Sequence, residues 1–187
     1  MAEQSSLVRL QKDYAVDIDW RGFELHPETP PGGRPIAERI PPERLPQLQS
    51  GLREFAAAFG VDNLALPERL PNTRRALAIA EYAREQGKLT AFRDAAMHAH
   101  WREGKNLEDE HDLREIARRA GLAPEAALQA LGAEHYLRRV DAIREEASQV
   151  GVTGIPTFVL GRYGVVGCQP YAVLARAAER AGAQRRG

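Results

Sequence analysis

The stretch GVTGIPTFVL (151–160), continued by GRYG (161–164) and VVGCQPYAVL (165–174), decides the fold. Residues 155–160 are a short run of β-formers with Pro156 near its start. Residues 161–164 form a turn, Val165 and Val166 make a second short strand, and Gly167 ends it. Pro170 opens a final helix over 171–181, with Val173, Leu174 and Ala177 on one face. Two short strands and a helix cannot bury a core unaided, so they need elements from elsewhere in the chain.

Those elements lie at the other end. Residues 15–25 alternate, with Val16, Ile18 and Trp20 on one side and Asp17, Asp19 and Arg21 on the other, the pattern of a half-buried strand. Before it, residues 2–13 read as a helix with Leu7, Val8 and Leu10 close to one face and Tyr14 following. After it, HPETPPGGRP (26–35) is a loop by its prolines and glycines, and 36–46 is irregular or a short helix.

From 45 to 150 the periodicity is helical. Leu48, Leu52, Phe55, Ala56 and Phe59 form one run that Gly60 stops. Asn72 or Thr73 caps the next, which carries Leu77, Ala80, Tyr82 and Ala83 and stops at Gly87. Phe92, Ala95, Ala96 and Ala99 mark a third. Asp109 or Asp112 caps a fourth, closed by Gly121, Pro124 starts a short fifth, and 134–150 is a longer sixth, ended by Gly151. The strands of the two ends are expected to share one sheet. The chain therefore reads as one α/β domain over 1–187, with sheet parts 1–36 and 150–187 and a helical insertion over 37–149.

Composition narrows the function. Twenty-six Lys and Arg balance 26 Asp and Glu, which argues against a general nucleic-acid binder. The arginines of 176–186 read as a solvated helix end. One cysteine allows no internal disulfide and calls for no oxidising compartment. No stretch approaches the roughly 18 continuous apolar residues of a membrane span. MAEQSSLVRLQ (1–11) lacks the basic start and apolar run of a signal peptide. A cytoplasmic location and no membrane partner are expected.

GVTGIPTFVL and VVGCQPYAVL together resemble the C-terminal signature of DsbA-family thioredoxin-like proteins. WRGFELHPETPPGG (20–33), PNTRRALAIAEYAREQGK (71–88) and WREGKNL (101–107) resemble the second strand, following loop and helical insertion of that family's cytoplasmic, FrnE-like branch. The resemblance covers nearly the whole chain. It implies a mixed sheet flanked by helices, a cis-proline at Ile155-Pro156 and thiol–disulfide exchange through a mixed disulfide. It also places a first strand and a Cys-X-X-Cys motif just upstream of Met1, so that the fold is expected to be N-terminally truncated and without catalytic residues of its own. Either the reading frame begins upstream, or a shortened protein fills the gap by pairing with a second chain as a homodimer.

The resemblance assigns substrate contact to Thr153, Ile155 and Pro156, where a bound peptide or small thiol would extend the sheet by one strand. Gln169 could offer its amide near the same mouth, although a helix-start role suits it too. Cys168 lies just before the last helix, whose dipole would favour a thiolate, but a small packed thiol is the plainer reading. It matches no catalytic residue of the family. His98, His100 and His111 with Glu103, Glu108 and Glu110 invite a metal, yet the two-residue spacing of His98 and His100 puts them on nearly opposite helix sides, and no metal site is expected. His26 reads as a loop residue rather than a base. PPGGRP (30–35) lacks the context of a phosphate cradle, and no cofactor is expected.

Three functions remain open. The first is a DsbA-family thiol–disulfide oxidoreductase acting on a protein thiol, a disulfide or a small thiol. The second is a glutathione-dependent enzyme similar to the kappa-class transferases or 2-hydroxychromene-2-carboxylate isomerases. Against it, Gly167-Cys168-Gln169-Pro170 lacks their Asp after the last strand, and Ser5 and Ser6 lie too far into the helix to match. The third is a thioredoxin-like binding module without chemistry.

Overall fold

The computed structural model describes residues 4–58, 61–62, 64 and 67–187. In chain order the elements are α1 (Gln4–Asp13), β1 (Arg34–Pro35), α2 (Leu45–Ala57), β2 (Arg69–Leu70), α3 (Arg74–Glu85), α4 (Leu89–Glu103), α5 (Glu110–Arg119), α6 (Pro124–Gln129), α7 (Glu134–Gln149), β3 (Thr157–Leu160), β4 (Tyr163–Val166) and α8 (Tyr171–Arg180). Single 3-10 turns at Ile36–Glu38 and Pro42–Arg44 occupy the segment expected to be irregular or a short helix. Phe59 and Gly60, expected to close the second helix, lie outside the described residues.

Local signals set the helix starts. Asn72 Oδ1 accepts the Arg74 N–H at 3.0 Å, and Thr73 makes no side-chain cap. Asp109, not Asp112, caps α5 by accepting the Asp112 N–H at 3.0 Å. α3 is the pivot of the helical body. Ala76, Ala80 and Ala83 join α4, α5 and α6 through Phe92, Leu113, Ile116 and Ala127, while Ala78 packs with Tyr136 and Ala130 on another side. A helix buried on most sides needs small residues where neighbouring backbones come close, and alanine supplies them.

The two chain ends form a second core. Leu7, Leu10 and Tyr14 of α1 and its exit pack on Leu174, Ala175 and Ala178 of α8, with Val16, Ile18, Trp20, Phe158, Leu160 and Val165 against them. Val8, expected on the inner face of α1, is 62% exposed, because one helical step turns it about 100° from Leu7.

The expected single sheet is not formed among the described residues. β3 pairs only with β4, antiparallel, and the separate pair β1–β2 joins the end of the proline-rich loop to the segment before α3. Residues 15–21 keep the alternation of a strand, with Val16, Ile18 and Trp20 half-buried between exposed neighbours, but enter no ladder beyond the bridge of Tyr14 to Arg185. Alternation reports burial on one side, whereas a ladder also needs a neighbouring strand within hydrogen-bonding distance. The β3–β4 turn is two residues, Gly161 and Arg162, rather than four, since Leu160 pairs with Tyr163 and Val159 with Gly164.

The arginine-rich end is also more than a solvated surface. Arg176 and Arg180 are exposed on α8, but Arg186 donates from its backbone N–H to the Asp13 carbonyl at 2.8 Å and from Nε to the Gln11 and Tyr14 carbonyls at 3.1 and 3.0 Å. It thereby satisfies carbonyls at the C-terminal end of α1.

Candidate functional site

The hairpin brings together the residues singled out at its open end. Beyond the Thr157–Val166 pair, the Gly167 N–H donates to the Pro156 carbonyl at 2.8 Å. The backbone before β3 thus lies beside Gly167, Cys168 and Gln169. The Ile155–Pro156 peptide bond is cis. Thr157 Oγ1 donates back to the Gly154 carbonyl at 2.6 Å, closing the entry to the strand.

Exposure separates the residues of this corner. Thr153 and Ile155 are exposed, Ile155 at 52%, while Pro156, Cys168 and Gln169 are half-buried. The backbone N–H and carbonyl of Ile155 have no hydrogen-bond partner among the described residues. An exposed side chain on a backbone with an open donor and acceptor, next to a strand, is the geometry that accepts an added strand. The Gln169 amide is turned inward, Nε2 donating to the Val166 carbonyl at 2.7 Å, so it secures the end of β4. Pro170 sits one residue before α8, and its carbonyl accepts the Val173 N–H at 3.0 Å. Cys168 therefore lies one residue further from the helix than a Pro170 inside the first turn would place it.

The histidines and acids considered for a metal are spread over separate tasks. His98 faces Glu103 at 3.5 Å. His100 is buried and its Nδ1–H donates to the Lys105 carbonyl at 3.1 Å, and burial holds its pKa below the usual imidazole range. His26 pairs with Glu28 and Arg39 on the loop. Glu110 binds Arg75. Asp109, His111 and Asp112 do bring one ligand atom each within 4.8 Å of one another, but Asp109 is the cap of α5 and Asp112 holds Lys105 and the Asn106 N–H.

Glu108 has the most structural task. Its Oε2 accepts the Gly32 N–H at 2.7 Å and its Oε1 the Asn72 N–H at 2.6 Å, while Asn72 Nδ2 donates to the Thr29 carbonyl at 2.6 Å. The proline-rich loop is thereby fixed to the start of α3. A second network, not evident from the sequence, surrounds Glu24. This buried carboxylate meets Arg74 at 3.4 Å and Arg144 at 3.3 Å, and Arg74 grips Asp141 with both terminal nitrogens, at 2.8 and 2.9 Å. That pairing with Arg74 lowers the Asp141 pKa. An acidic residue at the end of an alternating segment was its only signal.

No helix among the described residues is long and apolar enough to cross a membrane. No curated protein matches the chain. Among solved structures, it is similar to that of a probable DsbA oxidoreductase from Streptomyces coelicolor, with 27% identity and a TM-score of 0.85 over 97% of this chain and 83% of that one. It is also similar to a 2-hydroxychromene-2-carboxylate isomerase, with 24% identity and a TM-score of 0.74 over 96% and 87% of the two chains. The DsbA-type thioredoxin-like fold expected from the hairpin and last helix is thus present, and with the DSBA-like thioredoxin domain model matching residues 1–179, the chain belongs to that family.

Proposed function

We propose that this protein is a DsbA-type thiol–disulfide oxidoreductase that docks a cysteine-containing peptide or small thiol along residues 153–156. Its loop after residue 25 and its helical insertion resemble those of the FrnE-like branch. The observation that carries the reading is Ile155, an exposed residue beside β3 whose own backbone N–H and carbonyl have no hydrogen-bond partner among the described residues. Disulfide chemistry needs two sulfurs, and Cys168 is the one cysteine of the 187 residues. A dithiol cycle therefore draws on a thiol that these residues do not supply. Titrating labelled protein with a cysteine-containing peptide tests this by NMR. Shifts centred on residues 153–157 support the reading, and shifts absent there reject it.

The second reading, a glutathione-dependent isomerase, draws on the similarity in fold to the carboxylate isomerase across nearly the whole chain. Reduced glutathione in the same titration separates the two. Saturable binding of glutathione with no response to the peptide favours the isomerase. If both bind without any thiol exchange or isomerisation, the protein is a binding module.

A further inference from the structure

Charge is unevenly spread along this chain. Residues 147–187 hold five arginines and one acidic side chain, Glu179, in a chain whose formal net charge is zero. Glu179 is taken by the Tyr14 hydroxyl. Arg185 and Arg186 lie on Tyr14 and the end of α1, and Arg162 stays with the Tyr163 ring. Arg176 and Arg180 are left exposed, with no ion pair, hydrogen bond or ring contact among the described residues. Both line a cleft of about 260 Å³ between β4 and α8, together with Tyr163, Gly164, Val165 and Val173. None of the residues lining it is acidic.

β4 gives this cleft an open backbone edge, since it pairs with β3 alone. Bonded and unbonded pairs alternate along an antiparallel ladder, and the bond from the Gly167 N–H to the Pro156 carbonyl fixes which are which. Gly164 lies opposite Val159 in an unbonded pair, so its N–H and carbonyl point away from β3. Neither has another partner among the described residues. An extended segment laid along β4 can bond to both.

The spacing of the arginines suits such a segment. α8 runs back along the hairpin, and a Cβ on Gly161 would lie 3.7 Å from Ala181 Cβ. Arg176 and Arg180 are one turn apart, about 6 Å along the helix. Alternate residues of an extended chain are about 6.7 Å apart and point to the same side. Acidic side chains at alternate positions therefore meet one arginine each. A second copy of this chain would set one positive cleft against another, which like charges oppose. A small anion would use the arginines but face the open Gly164 carbonyl, a second acceptor.

We propose that this cleft docks an extended peptide segment with acidic residues at alternate positions, paired to β4 at Gly164 and held by Arg176 and Arg180. The proposal does not rest on the thiol reading, because residues 153–156 take no part in it.

The probe is an acetylated and amidated peptide, Val-Glu-Val-Glu-Val, followed by NMR at the Gly164 amide of the full chain at low salt. Saturable binding in the millimolar range or tighter is expected, at least tenfold tighter than for the same peptide with Gln in place of Glu. Arg176→Gln combined with Arg180→Gln is expected to weaken it at least tenfold. Four outcomes overturn the proposal. The Gly164 amide shows no saturable shift, or the Gln peptide binds equally well. Glutarate moves the amide as tightly as the peptide does, which makes this a small-anion site. The same shift arises on concentrating the protein alone, which gives the edge to a second copy. These comparisons use the unaltered protein, so they decide the matter even if the double variant does not fold.

Discussion

Glu108 accepts the backbone N–H of Asn72 at 2.6 Å while its other oxygen accepts that of Gly32 at 2.7 Å, so one buried carboxylate joins two segments that are remote from it in sequence. Glu108→Gln replaces one acceptor oxygen with an NH2 group that faces a backbone donor. One N–H is then left without a partner, and the expected loss is about 1–3 kcal/mol of stability. Urea denaturation checks it. A loss under about 0.5 kcal/mol, the range of ordinary surface changes, would show that the loop holds without this bond.

The same loop makes a second prediction. Gly32 and Gly33 both have positive φ, +88° and +70°. A Cβ on Gly32 would meet nothing within 4 Å, whereas one on Gly33 would lie 2.7 Å from the Leu70 carbonyl oxygen and 3.1 Å from Glu108 Oε1. Gly32→Ala should cost only the conformational strain, roughly 1–2 kcal/mol. Gly33→Ala should cost clearly more, because backbone must move and the Glu108 bonds move with it. Melting temperatures of the two variants compare them directly, and equal values would contradict the crowding at Gly33.

His100 gives a pH dependence. Burial lowers its pKa in the folded protein, so between that value and about 6.5 the unfolded chain binds a proton that the native chain does not. Stability therefore falls as pH drops below about 6.5 and levels off once the native imidazole also protonates. Unfolding free energies measured from pH 8 to pH 5 should show His100→Gln losing less over this range than wild type. Parallel curves would remove His100 from the account.

Leu174 is 1% exposed where α8 meets α1. Leu174→Ala should cost about 2–5 kcal/mol, the usual range for a large-to-small change in a core. If the two ends form a real core, hydrogen exchange in α1 should rise along with exchange in α8. Acceleration confined to α8 would show that they open separately.

Ile155→Ser tests the docking edge. The side chain is half exposed, so stability should move by no more than about 0.5 kcal/mol. Affinity for a cysteine-containing peptide should fall several-fold, as measured by calorimetry. Unchanged affinity would move the docking site elsewhere.

Much of this was legible in the sequence wherever the signal was local. Gly87, Gly121 and Gly151 follow helix ends in the positive-φ conformation, as their places in the sequence indicated. Asp109 needs only its own next turn to act as a cap. The alternation of 15–21 also survives as alternating exposure. Its ladder does not, because pairing depends on a distant strand that no period reveals. The corner at Pro156, Gly167 and Gln169 follows from the hairpin once its two-residue turn is known. Glu108 and Arg93 were not legible in their actual tasks. Glu108 reaches Gly32 from 76 positions away, and Arg93 meets Trp20 across the boundary between the helical region and the chain start. Such contacts carry no local residue pattern.

The three bonds from Arg186 to the end of α1 give the last residues a further role. They act as a latch. A change that removes them would leave the final carbonyls of α1 uncapped and loosen the packing of the first helix on the last. Damage to one arginine beyond α8 would then be felt across the whole α1–α8 core, so that the two ends of the fold loosen together.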